Sequence, residues 1–217
     1  MLEIRTITLN KLRPEVKLGM FGATSELWGH QLDFQRGENI LLKSGSGRGK
    51  TSAIAFLYGL RRDYSGSIHF DGHLVSTFPV NDWSQLRRNA LSVVFQDLRL
   101  FRQLTAFENV MLKNTLNPGV SEEEILNMFE EFGIGKLTGK RISHMSFGEQ
   151  QRVAIIRALV QPFSFLLMDE PFSHLDKHNI SIAVEMILRA CRVRESSLVM
   201  TSLGDHYSID FSKVIEV

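Results

Sequence analysis

One stretch, residues 40–52 (I-L-L-K-S-G-S-G-R-G-K-T-S), constrains this chain more than any other. Ile40, Leu41, Leu42 and Lys43 read as a short buried strand. Ser44, Gly45, Ser46, Gly47, Arg48 and Gly49 form a glycine-rich loop, and Lys50, Thr51 and Ser52 lead into a helix through Ala53, Ile54 and Ala55. A strand, a tight loop and a helix N-terminus in that order make an anion cradle, because loop N–H groups converge and the helix dipole adds positive potential. Within it Lys50 reaches the terminal phosphates of a nucleotide, and the Thr51 hydroxyl is placed to ligate Mg²⁺.

The P-loop pattern asks for glycine at its first position, where this chain has Ser44. A serine forced into positive φ there would cost about 1–2 kcal/mol. Gly45, Gly47 and Gly49 still allow the backbone to approach a phosphate closely.

A second requirement of such a site is a carboxylate at the end of a neighbouring strand. Ser164 to Met168 is an unbroken apolar run, as expected of a central parallel strand covered on both faces, and it ends in Asp169, Glu170 and Pro171. Open α/β sheets place ligands at the carboxyl ends of their strands. Asp169 can there hold Mg²⁺ opposite Thr51, while Glu170 is placed to orient and deprotonate a water attacking a γ-phosphate, a contribution of about 10²–10⁴ in rate. Alone, an Asp-Glu pair after an apolar run reads as a solvated strand end. Downstream of a P-loop it reads as a site.

The rest of the chain fits an α/β fold. Residues 2–9 and 25–35 alternate like antiparallel strands, separated by a loop around Pro14 and Gly19. The P-loop helix is expected to end near residues 60–62, followed by strands at 66–72 and 92–95, the latter ending at Gln96. From 97 to about 150 the character is helix and loop. Ser121 and Glu124 form a capping box there, and Ile125, Leu126, Phe129 and Phe132 make an apolar stripe that reads as ordinary core. A helix over about 178–192 and strands at 197–201 and 213–217 follow. Alternating strands and helices predict a P-loop NTPase fold with a mixed core sheet, an N-terminal antiparallel β subdomain and an inserted α-helical lobe. The chain is expected to be one domain (1–217), with a core lobe over about 1–96 and 151–217 and the helical lobe over 97–150.

Composition enters by exclusion. A net charge of +1 with 23% charged residues advertises no surface for nucleic acid. The one cysteine, Cys191, excludes an intramolecular disulfide and a cysteine metal site. No run approaches the roughly 20 apolar residues needed to cross a bilayer, and the N-terminus lacks the apolar run of a signal peptide. The expectation is a soluble, cytoplasmic protein that reaches a membrane only through a partner.

Residues 145–152 (M-S-F-G-E-Q-Q-R), followed by V-A-I-I-R-A-L, open a second helix from a small-residue turn. Together with the P-loop and D-E-P, this stretch resembles the ATP-binding cassette (ABC) ATPases, whose signature reads L-S-G-G-E-Q-Q-R-V-A-I-A-R-A-L. The resemblance covers nearly the whole chain with several motifs in fixed order. It implies that Lys50 and Thr51 are the Walker A pair, with Ser44 to Ser52 around the phosphates. It makes Asp169 and Glu170 Walker B, and Gln96 the Q-loop residue that senses Mg²⁺ and the attacking water. Ser146, Gly148 and Gln150 fall in the signature, and Ser173, His174, Leu175 and Asp176 in the D-loop. It further implies two cassettes closing on two ATP molecules, with the signature of one protomer against the γ-phosphate held by the other. Residues 93–112 are most similar to the branch that serves lipoprotein release, cell division and macrolide export. That likeness implies an ATPase subunit driving a membrane permease, whose coupling helix would dock near residues 97–101.

Three phosphate-facing positions depart from the family pattern. Ser202 stands where the family has a histidine that contacts the γ-phosphate, with Leu203 in place of the following Asp, and His206 lies four residues later. A serine donates one uncharged hydrogen bond, weaker than that of a protonated imidazole. Phe147 replaces the first signature glycine, and Ser44 the first P-loop glycine. No aromatic residue occupies 9–12, where the adenine-stacking side chain is expected, leaving Phe21 and Trp28 as candidates, each of which reads first as a packing residue. These departures keep open a second reading, a nucleotide-gated regulatory scaffold with very slow hydrolysis.

Overall fold

The computed structural model describes residues 3–15, 25–45, 47–204 and 207–217. Alternating Ile7, Leu9 and Leu12 bury one face of the first strand, β1 (Thr6–Pro14). It pairs antiparallel with β2 (Gln31–Gln35) over Thr6 to Asn10 and with β4 (Tyr64–Phe70) as far as Pro14. Pro14, expected in a loop, therefore ends a strand. It is tolerated because β2 has already stopped and no ladder bond is required on that side. The strand expected over 25–35 is reduced to β2, since residues 25–30 are turns and Gly29 takes φ 85°. β5 (His73–Leu74) completes a four-stranded sheet in the order β2-β1-β4-β5.

The second sheet carries the site. β3 (Asn39–Lys43), β6 (Leu91–Val94), β7 (Phe165–Asp169), β8 (Ser197–Ser202) and β9 (Lys213–Glu216) lie in the order β6-β7-β8-β3-β9. Every pairing in it is parallel. The parallel and antiparallel pairing expected of the chain is thus divided between two sheets. β7 and β8 are buried along their whole length, as central parallel strands must be.

The two-residue period of β7 shows how one sheet serves two cores. Leu166 and Met168 face one core with the helices, whereas Phe165 and Leu167 face another shared with the antiparallel sheet. The first core is packed by α3 (Ala106–Leu116), α4 (Glu122–Glu131), α5 (Phe147–Leu159) and α6 (Lys177–Val193). The second takes α1 (Lys50–Leu57) and α2 (Val80–Asn89).

Helix ends correct several expectations. α1 stops at Leu57 rather than at 60–62, because Gly59 turns the chain at φ 69° with its Cα against the Trp83 ring. α2 was not foreseen from the sequence. On α4 the capping box of Ser121 and Glu124 is present as expected, and Ile125, Phe129 and Phe132 are buried, but Leu126 turns outward and is 45% exposed. Among the described residues no helix is long and apolar enough to cross a membrane.

Candidate functional site

β3 delivers the glycine-rich loop to the carboxyl edge of the parallel sheet, and α1 leaves from it. Gly47 and Gly49 adopt φ 78° and 95°, so glycine is required where the loop turns into the helix. Ser44 does not adopt positive φ, so the backbone cost considered for it does not arise. Its amide donates to Ser202 O (3.3 Å) and its hydroxyl to Gly45 O (3.1 Å), ordering the start of the loop. Ser46 lies outside the described residues.

Lys50 is 4% exposed. Its ammonium donates to Ser44 O (2.7 Å) and Gly45 O (3.0 Å) and lies 3.5 Å from Glu170 Oε1. An ammonium has three protons. Two are spent on loop carbonyls, which aims the third at the space before Glu170. Thr51, one residue on, is exposed at the mouth of the cleft, whereas Ser52 is buried and accepts from Arg61 Nη1 (2.8 Å).

Asp169 ends β7, fully enclosed, beside Thr201 of β8 in the parallel register. The Thr201 hydroxyl donates to Asp169 Oδ1 (2.7 Å) and accepts from the Glu170 amide (2.9 Å). Glu170 itself adopts φ 47°, a left-handed conformation that costs a non-glycine residue about 1–3 kcal/mol. Thr201 was read from the sequence only as part of a strand. The available signal was the alignment of two apolar runs, F-L-L-M-D and L-V-M-T, whose ends meet only if those strands are neighbours.

A cleft of about 540 Å³ opens beside these groups, lined by Thr51, Gln96, Asp169, Leu60, Phe95 and Arg99 among others. The structure therefore brings Gln96 to the same cleft as Thr51 and Asp169. A hydroxyl, an amide oxygen and one free carboxylate oxygen are hard donors, few in number, which suits Mg²⁺ sharing its shell with phosphates and water. The lining also carries Arg61 and Arg99, together with Asp97. Arg157 donates to Leu98 O (2.6 Å) and Arg99 O (2.8 Å), holding two consecutive left-handed residues in place. Arg99 stacks 4.0 Å from the Phe95 ring centroid, and Arg87 lies over Tyr58. Burial, helped by Arg157 and Arg87, pushes the Lys113 ammonium down to about 8, and no carboxylate pairs with it among the described residues. Within 97–101, Asp97 and Phe101 are exposed, but Leu98 is buried in the core.

The signature stretch forms the start of α5. Ser146 is its N-cap: the hydroxyl accepts from the Glu149 amide (3.3 Å), and Glu149 Oε2 accepts from the Ser146 amide (2.7 Å). Acting as an acceptor leaves the hydroxyl proton available to an outside acceptor. Gln150 donates back to Met145 O (2.9 Å). A Cβ on Gly148 would stand 2.9 Å from His174 O, so glycine is needed for the D-loop to pass. Phe147 is 43% exposed and meets the His174 ring edge-on at 4.3 Å, joining signature and D-loop within one chain. The D-loop ends at Asp176, which caps α6 by accepting from the Asn179 amide (2.8 Å).

Ser202 ends β8 beside Lys43, 1% exposed, and its hydroxyl accepts from the Gly204 amide (3.1 Å). Of the adenine candidates, Trp28 is buried against Phe56 and donates to Arg48 O (3.3 Å), which makes it a packing residue. Phe21 and His206 lie outside the described residues. Cys191 is buried in α6, and burial pushes its thiol up to about 11, so it is chemically quiet.

Comparison with known proteins agrees with this geometry. A family profile described as ABC transporter matches residues 27–173. An uncharacterized ABC transporter ATP-binding protein of Mycobacterium tuberculosis is 36% identical over 190 residues, covering 86% of this chain and 56% of the relative. The chain thus spans little more than half the length of that relative. The lipoprotein-releasing system ATP-binding protein LolD of Xanthomonas campestris is 30% identical over 217 residues, covering 99% of this chain and 89% of LolD. Among solved structures, the dimeric structure of MJ0796, a bacterial ABC transporter cassette, superposes with a TM-score of 0.83 at 23% identity, covering 97% and 94% of the two chains. At that identity the likeness speaks for the fold.

Proposed function

The chain belongs to the ABC transporter family, as an ATP-binding cassette of the ATPase type, and on that premise we propose that it hydrolyses ATP to power or gate a membrane permease. One observation carries the reading. The parallel sheet brings Lys50 of the P-loop to 3.5 Å from Glu170 at the end of β7, and Asp169 just before it lines one cleft with Thr51 and Gln96.

In this reading the P-loop amides and the third Lys50 proton bind the phosphates. Glu170 takes the proton of a water whose oxygen bonds to the γ-phosphorus while the bond to the bridging oxygen breaks, giving ADP and phosphate. Thr51, Gln96 and Asp169 would hold Mg²⁺, which supplies charge neutralisation on the phosphates. Residues 44–52 around the phosphates and Ser146, Gly148 and Gln150 facing a second cassette complete the assignment.

The partner follows from the cleft beside the site. Arg61 and Arg99 line it together with Asp97, Leu60 on its lining is exposed, and so is Phe101 four residues beyond Asp97, which fits an amphipathic cytoplasmic segment of a permease. The likeness to LolD favours a permease of the lipoprotein-release and cell-division type. The protein would then work at the inner face of the cell membrane, held there by its partner, with residues 97–150 as the lobe that transmits motion.

Steady-state phosphate release by the parent and by Glu170→Gln tests the mechanism. A fall of about 10²-fold or more is expected from removing the base. Equal turnover would show that Glu170 is not the base. The second reading, a nucleotide-gated scaffold that barely hydrolyses, is favoured by Ser202, whose uncharged hydroxyl already accepts the Gly204 amide. It predicts ATP binding with negligible phosphate release by the parent.

A further inference from the structure

The hydroxyl of Thr201 has the most unusual position of any polar group in the site. Thr201 is fully buried on the penultimate strand, thirty-two residues downstream of Asp169, yet one oxygen serves both acidic residues. It donates to Asp169 Oδ1 at 2.7 Å and accepts from the Glu170 amide at 2.9 Å. The register of β7 and β8 places Asp169 beside Thr201, so both side chains lie on the same face of the sheet.

The two bonds do different things. The bond to Oδ1 fixes the rotation of the Asp169 carboxylate and leaves the other oxygen for the cleft. The bond from the amide holds the backbone of Glu170 at φ 47°, where a glutamate does not rest unaided. That backbone conformation sets the direction in which the Glu170 side chain leaves the strand, and it emerges 3.5 Å from Lys50. A valine has the shape of threonine and keeps the packing, but it can neither accept the amide nor donate to the carboxylate.

We propose that Thr201 is a positioning residue for hydrolysis, a single hydroxyl that sets the Glu170 backbone and the Asp169 carboxylate together. The proposal rests on the reading of Glu170 as the base. It adds that the base is held by a side chain on another strand rather than by its own loop.

The experiment uses the full chain. Thr201→Val, Thr201→Ser, Glu170→Gln and the double substitution Glu170→Gln with Thr201→Val are compared in ATP turnover and in binding of a fluorescent ATP analogue. Thr201→Val should lower kcat by about 10- to 100-fold, the scale of a misplaced catalytic group. Its affinity for the analogue, measured without magnesium so that Asp169 takes no part, should stay close to that of the parent, because the P-loop is untouched. Thr201→Ser restores the hydroxyl and should recover most of the rate. On the Glu170→Gln background the valine should cause little further loss, since the residue acts through the one already removed.

If Glu170→Gln is inactive while Thr201→Val turns over like the parent, the proposal is wrong and the reading of Glu170 survives. If Glu170→Gln turns over like the parent, that reading itself fails. A loss in Thr201→Val that serine does not restore, or that comes with an equal loss of nucleotide binding, marks a packing role and also overturns the proposal. Should the valine variant fail to fold, Thr201→Ala against Thr201→Ser reads the same contrast.

Discussion

Lys50 owes its place to three oxygens: two carbonyls of its own loop and one carboxylate from another strand. An anion entering the cradle would accept a hydrogen bond from the Lys50 ammonium, which now lies 3.5 Å from Glu170. Replacing Lys50 by alanine removes a charge-assisted bond worth about 1.5–3 kcal/mol. ATP affinity should therefore fall by about 10- to 100-fold, read by titration with a fluorescent analogue, while the fold persists. At this scale the sequence was legible wherever a residue's role is set by its immediate neighbours. Lys50, Thr51, Asp169 and Glu170 lie within short motifs whose local geometry fixes what they face. Thr201 was not legible, because its role depends on which strand lies beside β7. Trp28 is a packing residue, the reading its sequence position favours: an aromatic at a plausible distance is held in the core by Phe56 and in a bond with Arg48 O.

At the scale of elements, three helices among the described residues begin with reciprocal caps: Thr105 with Glu108, Ser121 with Glu124, and Ser146 with Glu149. In each, a hydroxyl accepts one orphan amide and a carboxylate accepts another. Ser121→Ala lies away from the site and should cost about 1 kcal/mol, measured by denaturant unfolding with turnover unchanged. The same caps set an acid limit. The Thr105 amide holds the Glu108 carboxyl below its ordinary 4.5, and the Ser121 amide does the same for Glu124. A carboxyl lowered in the folded state contributes stability that is fully present above its unfolded value and is lost as pH falls through the folded one. Unfolding free energy should accordingly decline below about pH 4.5, and Glu124→Gln should flatten part of that decline. Buried strands and the Ser121 helix were legible because unbroken apolar runs and a capping box are local signals. α2 was not, since only Trp83 and Leu86 of its ten residues are buried and its polar remainder reads as loop. Leu126 was misread because a stripe of apolar residues wider than the buried face leaves one of them in water.

For the molecule as a whole, the alternation of strands and helices announced a core sheet and an antiparallel N-terminal subdomain, but the strand order within each sheet did not show. Strand neighbours such as β3 and β8 are set by long-range packing that no window of sequence contains. The same limit applies to assembly, which the surface now makes testable. Ser146 keeps a donor proton at an exposed helix start, and Phe147 stands 43% exposed beside it. These features suit a face completed by a second copy with ATP between the two. Moving such an equilibrium from about 1:99 to 99:1 needs ligand to favour the closed state by about 10⁴-fold. Two triphosphates, each gripped by a P-loop and a signature, can supply that, whereas ADP lacks the group the signature would touch. Glu170→Gln with ATP and magnesium should therefore run as a dimer in light scattering, and with ADP as a monomer. Ser146→Arg on that background should return it to monomer without loss of nucleotide binding, because the P-loop that binds is not the surface that closes. If nucleotide binds and no dimer forms in any of these, the site is complete within one chain, and the second copy has no part in its chemistry.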